Sequence, residues 1–180
     1  MSVKRLVFLV FYLFVCSLPS FSSGEEESSG YQQASIYLSE GDYQQACREL
    51  KLFLEIHPDS SRGHNNLGFC YYKLNKWGLA IEEYKKAIAL DPLYAVANNN
   101  LGIIAYHQKN YELAKIYFQR AVSLNDRYAK VMFNLALVYY KLGEKKNARA
   151  MLDKARQTDK IYVKTRIEEA KKKIIDKEQH

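Results

Sequence analysis

The sequence predicts an all-α fold of stacked helix pairs, and three observations carry that prediction. First, side chains of one kind recur every 34 residues: Asn66-Leu67-Gly68 returns as Asn100-Leu101-Gly102 and as Asn134-Leu135-Ala136. The same period links Pro58 with Pro92, Ala46 with Ala80, Ala114 and Ala148, and Tyr43 with Trp77 and Tyr111. Leu50, Tyr84, Phe118 and Leu152 form a further series, and Phe53, Ala87, Ala121 and Ala155 another. Second, each period sets a small residue in its first half (Gly68, Gly102, Ala136) against an alanine in its second (Ala80, Ala114, Ala148), which lets two helix axes approach closely. Third, the breakers fall at the joints: Gly41 and Gly143 where a first helix stops, Pro58 and Pro92 where a second one has ended. One unit of this size cannot bury its apolar face alone, so neighbours must stack.

Length and composition bound the rest. The chain has 180 residues, 48% apolar and 26% charged, enough for one ordinary domain and far from a disordered polyelectrolyte. Eight glycines and three prolines exclude a collagen-like or linker-dominated chain. Three cysteines are too few for a disulfide scaffold and form no CxxC zinc spacing. Tyrosine is the outlier, with fifteen copies against eight Phe and one Trp.

Residues 1–22 read as an export leader. Lys4 and Arg5 precede an unbroken apolar run, Leu6 to Cys16, and then Pro19 and small residues that suit cleavage after Ser22. That run is about half of the ~20 apolar residues a spanning helix needs. Cys16 followed by a Ser/Gly/Glu stretch also looks like a bacterial lipoprotein signal, although Val15 stands where that pattern wants a small residue. Residues 23–30, with Glu25-Glu26-Glu27 between serines, read as a flexible tether, and the first helix is expected to begin near Tyr31.

The repeat resembles the tetratricopeptide repeat, over roughly Glu27 to Lys160, in four units: 27–60, 61–94, 95–128 and 129–162. The second unit matches that pattern most densely, with Leu67, Gly68, Tyr71, Ala80, Tyr84, Ala87 and Pro92 in its slots. The resemblance implies a right-handed superhelix of antiparallel helix pairs, here over 31–160. Within the second unit the pair is His64–Leu74 and Trp77–Leu90, joined at Asn75-Lys76. The first unit departs from the pattern with Gln33 and Ala34 in the paired slots. The fourth carries Lys145 in an aromatic slot, Arg156 in an apolar one and Lys160 in place of proline. Beyond it, Val163, Ile167, Ala170 and Ile174 make an apolar stripe at 4-3-4 spacing, which predicts a capping helix over 161–180 with a basic tail.

The residues offer no active site. His57, His64, His107 and His180 are dispersed, no HExxH or GxSxG is present, and no glycine-rich phosphate loop occurs. Neither an enzymatic activity nor a cofactor or metal is expected. Cys47 and Cys70 fall on neighbouring helices: they could oxidise in an exported protein, or be two small buried residues, the simpler reading. Net charge is +7 and concentrates at the end: 141–180 carry 13 Lys/Arg against 7 Asp/Glu. That excess reads as a polar terminus or as a surface attracted to acidic proteins or anionic lipid, and no nucleic acid partner is expected.

The resemblance implies that first helices line a concave groove where a peptide or partner protein lies. Asn66, Asn100 and Asn134 would stand there in a row, similar to the asparagine ladders with which some tetratricopeptide proteins grip peptide backbone. Seven residues on come Lys73, His107 and Lys141, beside Tyr72, Tyr106 and Tyr140. Asn65, Asn98, Asn99 and Lys130 add polar groups, and Phe69, Ile103, Phe133 and Leu137 an apolar strip. The carboxylate clamp of chaperone-binding relatives is not assigned, since only Arg62 and Lys130 could serve it. The resulting expectation is a non-enzymatic adaptor or scaffold, exported to the periplasm or an envelope membrane. The alternatives are a structural subunit docking by its convex face and basic end, and a groove for a small or lipid ligand.

Overall fold

The computed structural model describes the backbone of residues 23–167 and the side chains from Gly30 onward; the leader, Cys16, Ala170, Ile174 and the basic tail lie outside the described residues. Among the described residues eight helices follow one another: α1 (Ser23–Glu40), α2 (Tyr43–Ile56), α3 (Ser61–Lys73), α4 (Trp77–Leu90), α5 (Ala95–His107), α6 (Tyr111–Leu124), α7 (Ala129–Lys141) and α8 (Lys145–Thr158). A ninth helical stretch, α9, covers 160–167. Among the described residues there is no strand. α1 begins at Ser23, eight residues ahead of the start expected near Tyr31, so the segment expected to be a tether continues the helix backbone. Among the described side chains, packing begins at Tyr31 and Ala34.

The joints inside the four units are built alike. Residues 41, 75, 109 and 143 all have positive φ: Gly41 at 81°, Asn75 at 58°, Lys109 at 61° and Gly143 at 78°. The next amide then reaches back to the carbonyl five residues earlier: Asp42 to Tyr37, Lys76 to Tyr71, Asn110 to Ala105 and Glu144 to Tyr139. This is a Schellman ending, in which the left-handed residue lets two otherwise orphaned carbonyls be satisfied. Two of the four following helices also have a side-chain cap, from Asp42 to the Gln45 amide and from Asn110 to the Leu113 amide.

Helices pair within a unit, α1 with α2, α3 with α4, α5 with α6 and α7 with α8, and each pair stacks on the next. Successive first helices also touch, α3 with α5 and α5 with α7, while no comparable contact joins successive second helices among the described residues. First helices therefore lie on the inside of the curve. The small residues do face the second helix, but their nearest neighbour is not the expected alanine side chain. A Cβ on Gly68 would stand 2.8 Å from the Tyr84 ring and 3.2 Å from the Ala80 carbonyl oxygen; on Gly102 it would stand 2.7 Å from the Phe118 ring. The space a methyl group would fill is taken by an aromatic ring.

The core runs the length of the stack, from Ala34, Leu50 and Tyr84 through Phe118, Leu135 and Val138 to Met132, Ala155 and Val163. Polar ties cross it. His64 on α3 meets the Glu83 carboxylate on α4 at 2.6 Å through Nδ1, while its Nε2 donates to the Pro58 carbonyl at 2.9 Å. Lys115 on α6 bridges Glu112 and, across units, Glu144, which pushes its ammonium up to about 12. Cys47 and Cys70 are both free thiols in the core, and burial raises the Cys70 thiol to about 12. At the far end α9 is capped by Asp159, whose carboxylate accepts the Tyr162 amide, and it packs Val163 and Ile167 against the last unit.

Candidate functional site

The inner face is organised by a chain of amides. Asn134 Nδ2 donates to Asn99 Oδ1 at 3.3 Å, and Asn99 Nδ2 to Asn100 Oδ1 at 3.3 Å. Asn100 Nδ2 donates to Asn65 Oδ1 at 3.0 Å, Asn65 Nδ2 to Asn66 Oδ1 at 3.3 Å, and Asn66 Nδ2 to the Tyr31 hydroxyl at 2.7 Å. Five hydrogen bonds thus run across α7, α5, α3 and α1, and the three that cross between helices are each donated by the later helix to the earlier one. Asn65 and Asn99 are buried, 5% and 1% exposed, and serve as rungs between units, not as open contacts as expected. Asn98, also buried, donates to the Tyr94 carbonyl. Asn134 is the open end of the chain: its Oδ1 accepts no hydrogen bond among the described residues.

Beside that end lies a cleft of about 450 Å³. Ile103, Tyr106 and His107 of α5 form one wall, and Lys130, Asn134 and Leu137 of α7 the other, each set spaced to share a helix face. Phe118 of α6 is the floor, and Tyr162 and Arg166 of α9 close the end. Leu137 is left 38% exposed, an apolar side chain held open toward the cleft. An aromatic ridge adjoins it: Tyr72 hydrogen-bonds His107 at 3.1 Å, and the Trp77 and Tyr106 rings stand 6.1 and 6.2 Å from the His107 ring. Tyr106 in turn meets Tyr111 edge-on at 5.5 Å.

The remaining expected residues are placed elsewhere. Phe133 was expected in the groove; it is 6% exposed, sits in the terminal core with Met132, Ala155 and Val163, and is crossed by the Tyr162 ring at 6.2 Å. Phe69 packs edge-on against Tyr43 at 6.1 Å, with the Lys73 ammonium 5.3 and 5.6 Å from the Tyr43 and Phe69 rings. Tyr140 and Lys141 are exposed at the end of α7 and do not line the cleft. Tyr162 and Arg166 were not singled out from the sequence, and Phe118 was read there as a packing residue of the repeat, not as part of the groove. Tyr162 had a signal, since Tyr94, Tyr128 and Tyr162 share the 34-residue spacing; Arg166 had none. Among the described residues no three His, Cys, Asp or Glu side chains converge as a metal site would need, and none of their helices is long and apolar enough to cross a membrane.

A curved stack of helix pairs whose first helices wall a cleft is a repeat solenoid. Family models agree: tetratricopeptide repeat models match residues 28–60, 61–94 and 93–160, and the chain belongs to the tetratricopeptide repeat family. No curated protein matches it. Among solved structures it is similar to a crystal structure of MamA, at 20% identity over 79% of this chain and 84% of that one, with a TM-score of 0.69. It is also similar to pilF of Pseudomonas aeruginosa, at 31% identity and a TM-score of 0.70, over 76% of this chain and 63% of that one. A third is the first TPR of Spaghetti (RPAP3) bound to the HSP90 peptide SRMEEVD, at 19% identity over 66% of this chain and 94% of that one, with a TM-score of 0.62.

Proposed function

We propose that this chain is a non-enzymatic adaptor that takes an extended segment of a partner protein into the cleft between α5 and α7. The observation that carries the reading is the cleft itself. It joins an apolar floor and a half-open Leu137 to an amide, Asn134, that retains, among the described residues, both an open acceptor and a second N–H for the backbone of a bound segment. The Spaghetti structure supports the mode, since a related fold there holds a peptide. We further propose, from the Lys4/Arg5 and Leu6–Cys16 leader, that the adaptor works in a bacterial envelope, as a periplasmic or Cys16-anchored protein.

One competing reading has a feature to stand on. Leu79, Leu113 and Ile116 lie on second helices at 43%, 37% and 58% exposure, an apolar strip suited to docking by the outer face. Crosslinking capture from native envelopes with two variants separates them. Tyr106→Ala with Leu137→Glu should abolish capture while circular dichroism stays helical, and Leu113→Glu with Ile116→Glu should leave it intact. The reverse pattern refutes the groove. Sequencing of the mature N-terminus tests the compartment, and an intact Met1 on soluble protein refutes export.

A further inference from the structure

The chain over-uses tyrosine, with fifteen copies, and core packing accounts for only some of them. Tyr71, Tyr84 and Tyr139 are buried in the core. Tyr72 and Tyr106 lie one unit apart near the ends of α3 and α5, and Tyr94, Tyr128 and Tyr162 one unit apart at the heads of α5, α7 and α9. All five are half-buried, and Tyr106 and Tyr162 line the cleft itself. The hydroxyls of Tyr94, Tyr106 and Tyr128 hydrogen-bond nothing among the described residues, and none of the three is closed off from solvent. Burial of the rings pushes the Tyr94 and Tyr128 phenols up, so both remain O–H donors. Packed helices lie about 8–10 Å apart, and α3, α5 and α7 touch in succession, so the phenols of one row recur at about that interval.

We infer that the segment bound in the cleft is proline-rich and lies across the first helices as a polyproline II helix. The inference rests on the groove reading above and adds the chemistry of the occupant. Such a helix turns once in three residues and rises about 3.1 Å per residue, so like faces recur about every 9 Å. That is the interval at which the inner face repeats its rings. The carbonyls of a polyproline II helix have no internal partners. The inner face answers with donors: the three unpaired hydroxyls, the second N–H of Asn134 and the Lys130 ammonium, which pairs with no described residue. Proline brings no N–H of its own, and no residue lining the cleft carries a carboxylate to accept one. A proline ring would enter over Phe118 between Ile103 and Leu137, with Tyr106 on one wall and Tyr162 at the end. The segment is already extended when free, so it loses little conformational freedom on binding. A helical segment would satisfy its own carbonyls and leave these donors unanswered.

The test selects twelve-residue peptides from a random display library against the purified full chain. Enriched peptides should carry at least two prolines set three residues apart. A synthetic winner should perturb the fluorescence of Trp77, the only tryptophan, whose ring stands 6.1 Å from that of cleft-lining His107. Exchanging its prolines for alanine should weaken binding about tenfold. Tyr106→Ala should also weaken it about tenfold, with Lys85→Glu on α4 as an inert control. Tyr106→Phe and Tyr128→Phe keep the rings and remove the donors, and each should cost about threefold to fivefold. A peptide that binds as well without its prolines, or phenylalanine variants that both bind like the parent, overturn the inference. Winners that lack proline and that Leu137→Glu abolishes also overturn it, and leave the groove standing. Peptides indifferent to both Leu137→Glu and Tyr106→Ala, or no enrichment by a chain that remains helical, refute the groove reading itself. A twenty-nucleotide oligothymidylate that binds more tightly than the selected peptide, and that Tyr106→Ala weakens, overturns the inference in favour of base stacking.

Discussion

Gly102→Ala is the sharpest probe of how the helix pairs close. The added Cβ would lie 2.7 Å from two atoms of the Phe118 ring and 3.0 Å from a third. Ordinary carbon–carbon contact is about 3.5–4.0 Å, so the ring has to withdraw by about 0.8 Å or more. Phe118 is only 1% exposed, and the space it borders is the cleft between α5 and α7. Overpacking of this kind costs about 2 to 3 kcal/mol. Replacing glycine by alanine inside a helix returns about 1 kcal/mol, leaving a net loss of about 1 to 2 kcal/mol. The chain supplies its own comparison. In the 34-residue register Gly68 and Gly102 accompany Tyr84 and Phe118, while Ala34 and Ala136 accompany Leu50 and Leu152. Phe118→Leu should therefore relieve Gly102→Ala, with a coupling of about 2 kcal/mol in a double-mutant cycle. Urea melts followed by helical circular dichroism measure all four corners. Gly78→Ala, where nothing lies within 4 Å of the added Cβ, is the control that should not lose stability. If Gly102→Ala is as stable as the parent, or the coupling falls below about 0.5 kcal/mol, the glycine is not there to admit the ring.

Two further outcomes follow from the interior. Asn99→Ala removes the acceptor of Asn134 and the donor to Asn100 at a site 1% exposed, and should cost about 2 to 3 kcal/mol in the same urea melts, against about 1 kcal/mol for Asn134→Ala at the chain's end. A loss at Asn99 no larger than at Asn134 would count against a continuous chain. Burial raises the Cys70 thiol from 9.0 to about 12 and also raises the Tyr84 phenol, so the fold prefers both neutral. That stability is complete below about pH 9 and is lost as pH rises toward 12, because the unfolded chain ionises first. Urea midpoints across that range should fall more steeply for the parent than for Cys70→Ala, and a thiol reagent at pH 8 should label Cys70 only after unfolding; rapid labelling of the native chain would refute its burial.

Architecture was legible because repetition is. A period of 34 fixes which residues are equivalent, and Gly41 and Gly143 announce the left-handed joints by having no Cβ to clash. Asn75 and Lys109 occupy the same positions with nearly the same φ; asparagine tolerates left-handed backbone, but nothing in the lysine side chain says so, and the geometry there is imposed by the helices on either side. The site was less legible, for a related reason. Periodicity says that Asn65 and Asn99 resemble one another, not whether the crossing of neighbouring helices turns them inward to each other or outward to a ligand. Phe133 reads as a groove residue by equivalence with Asn65 and Asn99, and the arrival of α9 buries it. α9 itself starts at 160, three residues ahead of the start its predecessor α7 would set in the repeat register, so Tyr162 and Arg166 reach the cleft from a helix that the period does not position.

The uniform direction of the amide relay from helix to helix bears on how such rods end. Stacks built from like modules present, at each tip, the surface that would accept another copy, and open-ended growth into fibres is their inherent hazard. Here the relay requires an asparagine at positions 65 and 99 to receive the following module. At the matching position 133 the chain has phenylalanine, sunk beneath Tyr162, so a fifth module, whether from this molecule or another, meets no polar handshake. At the opposite tip the relay reaches, among the described residues, the Tyr31 hydroxyl. The sequence thus encodes a full stop as well as a rhythm.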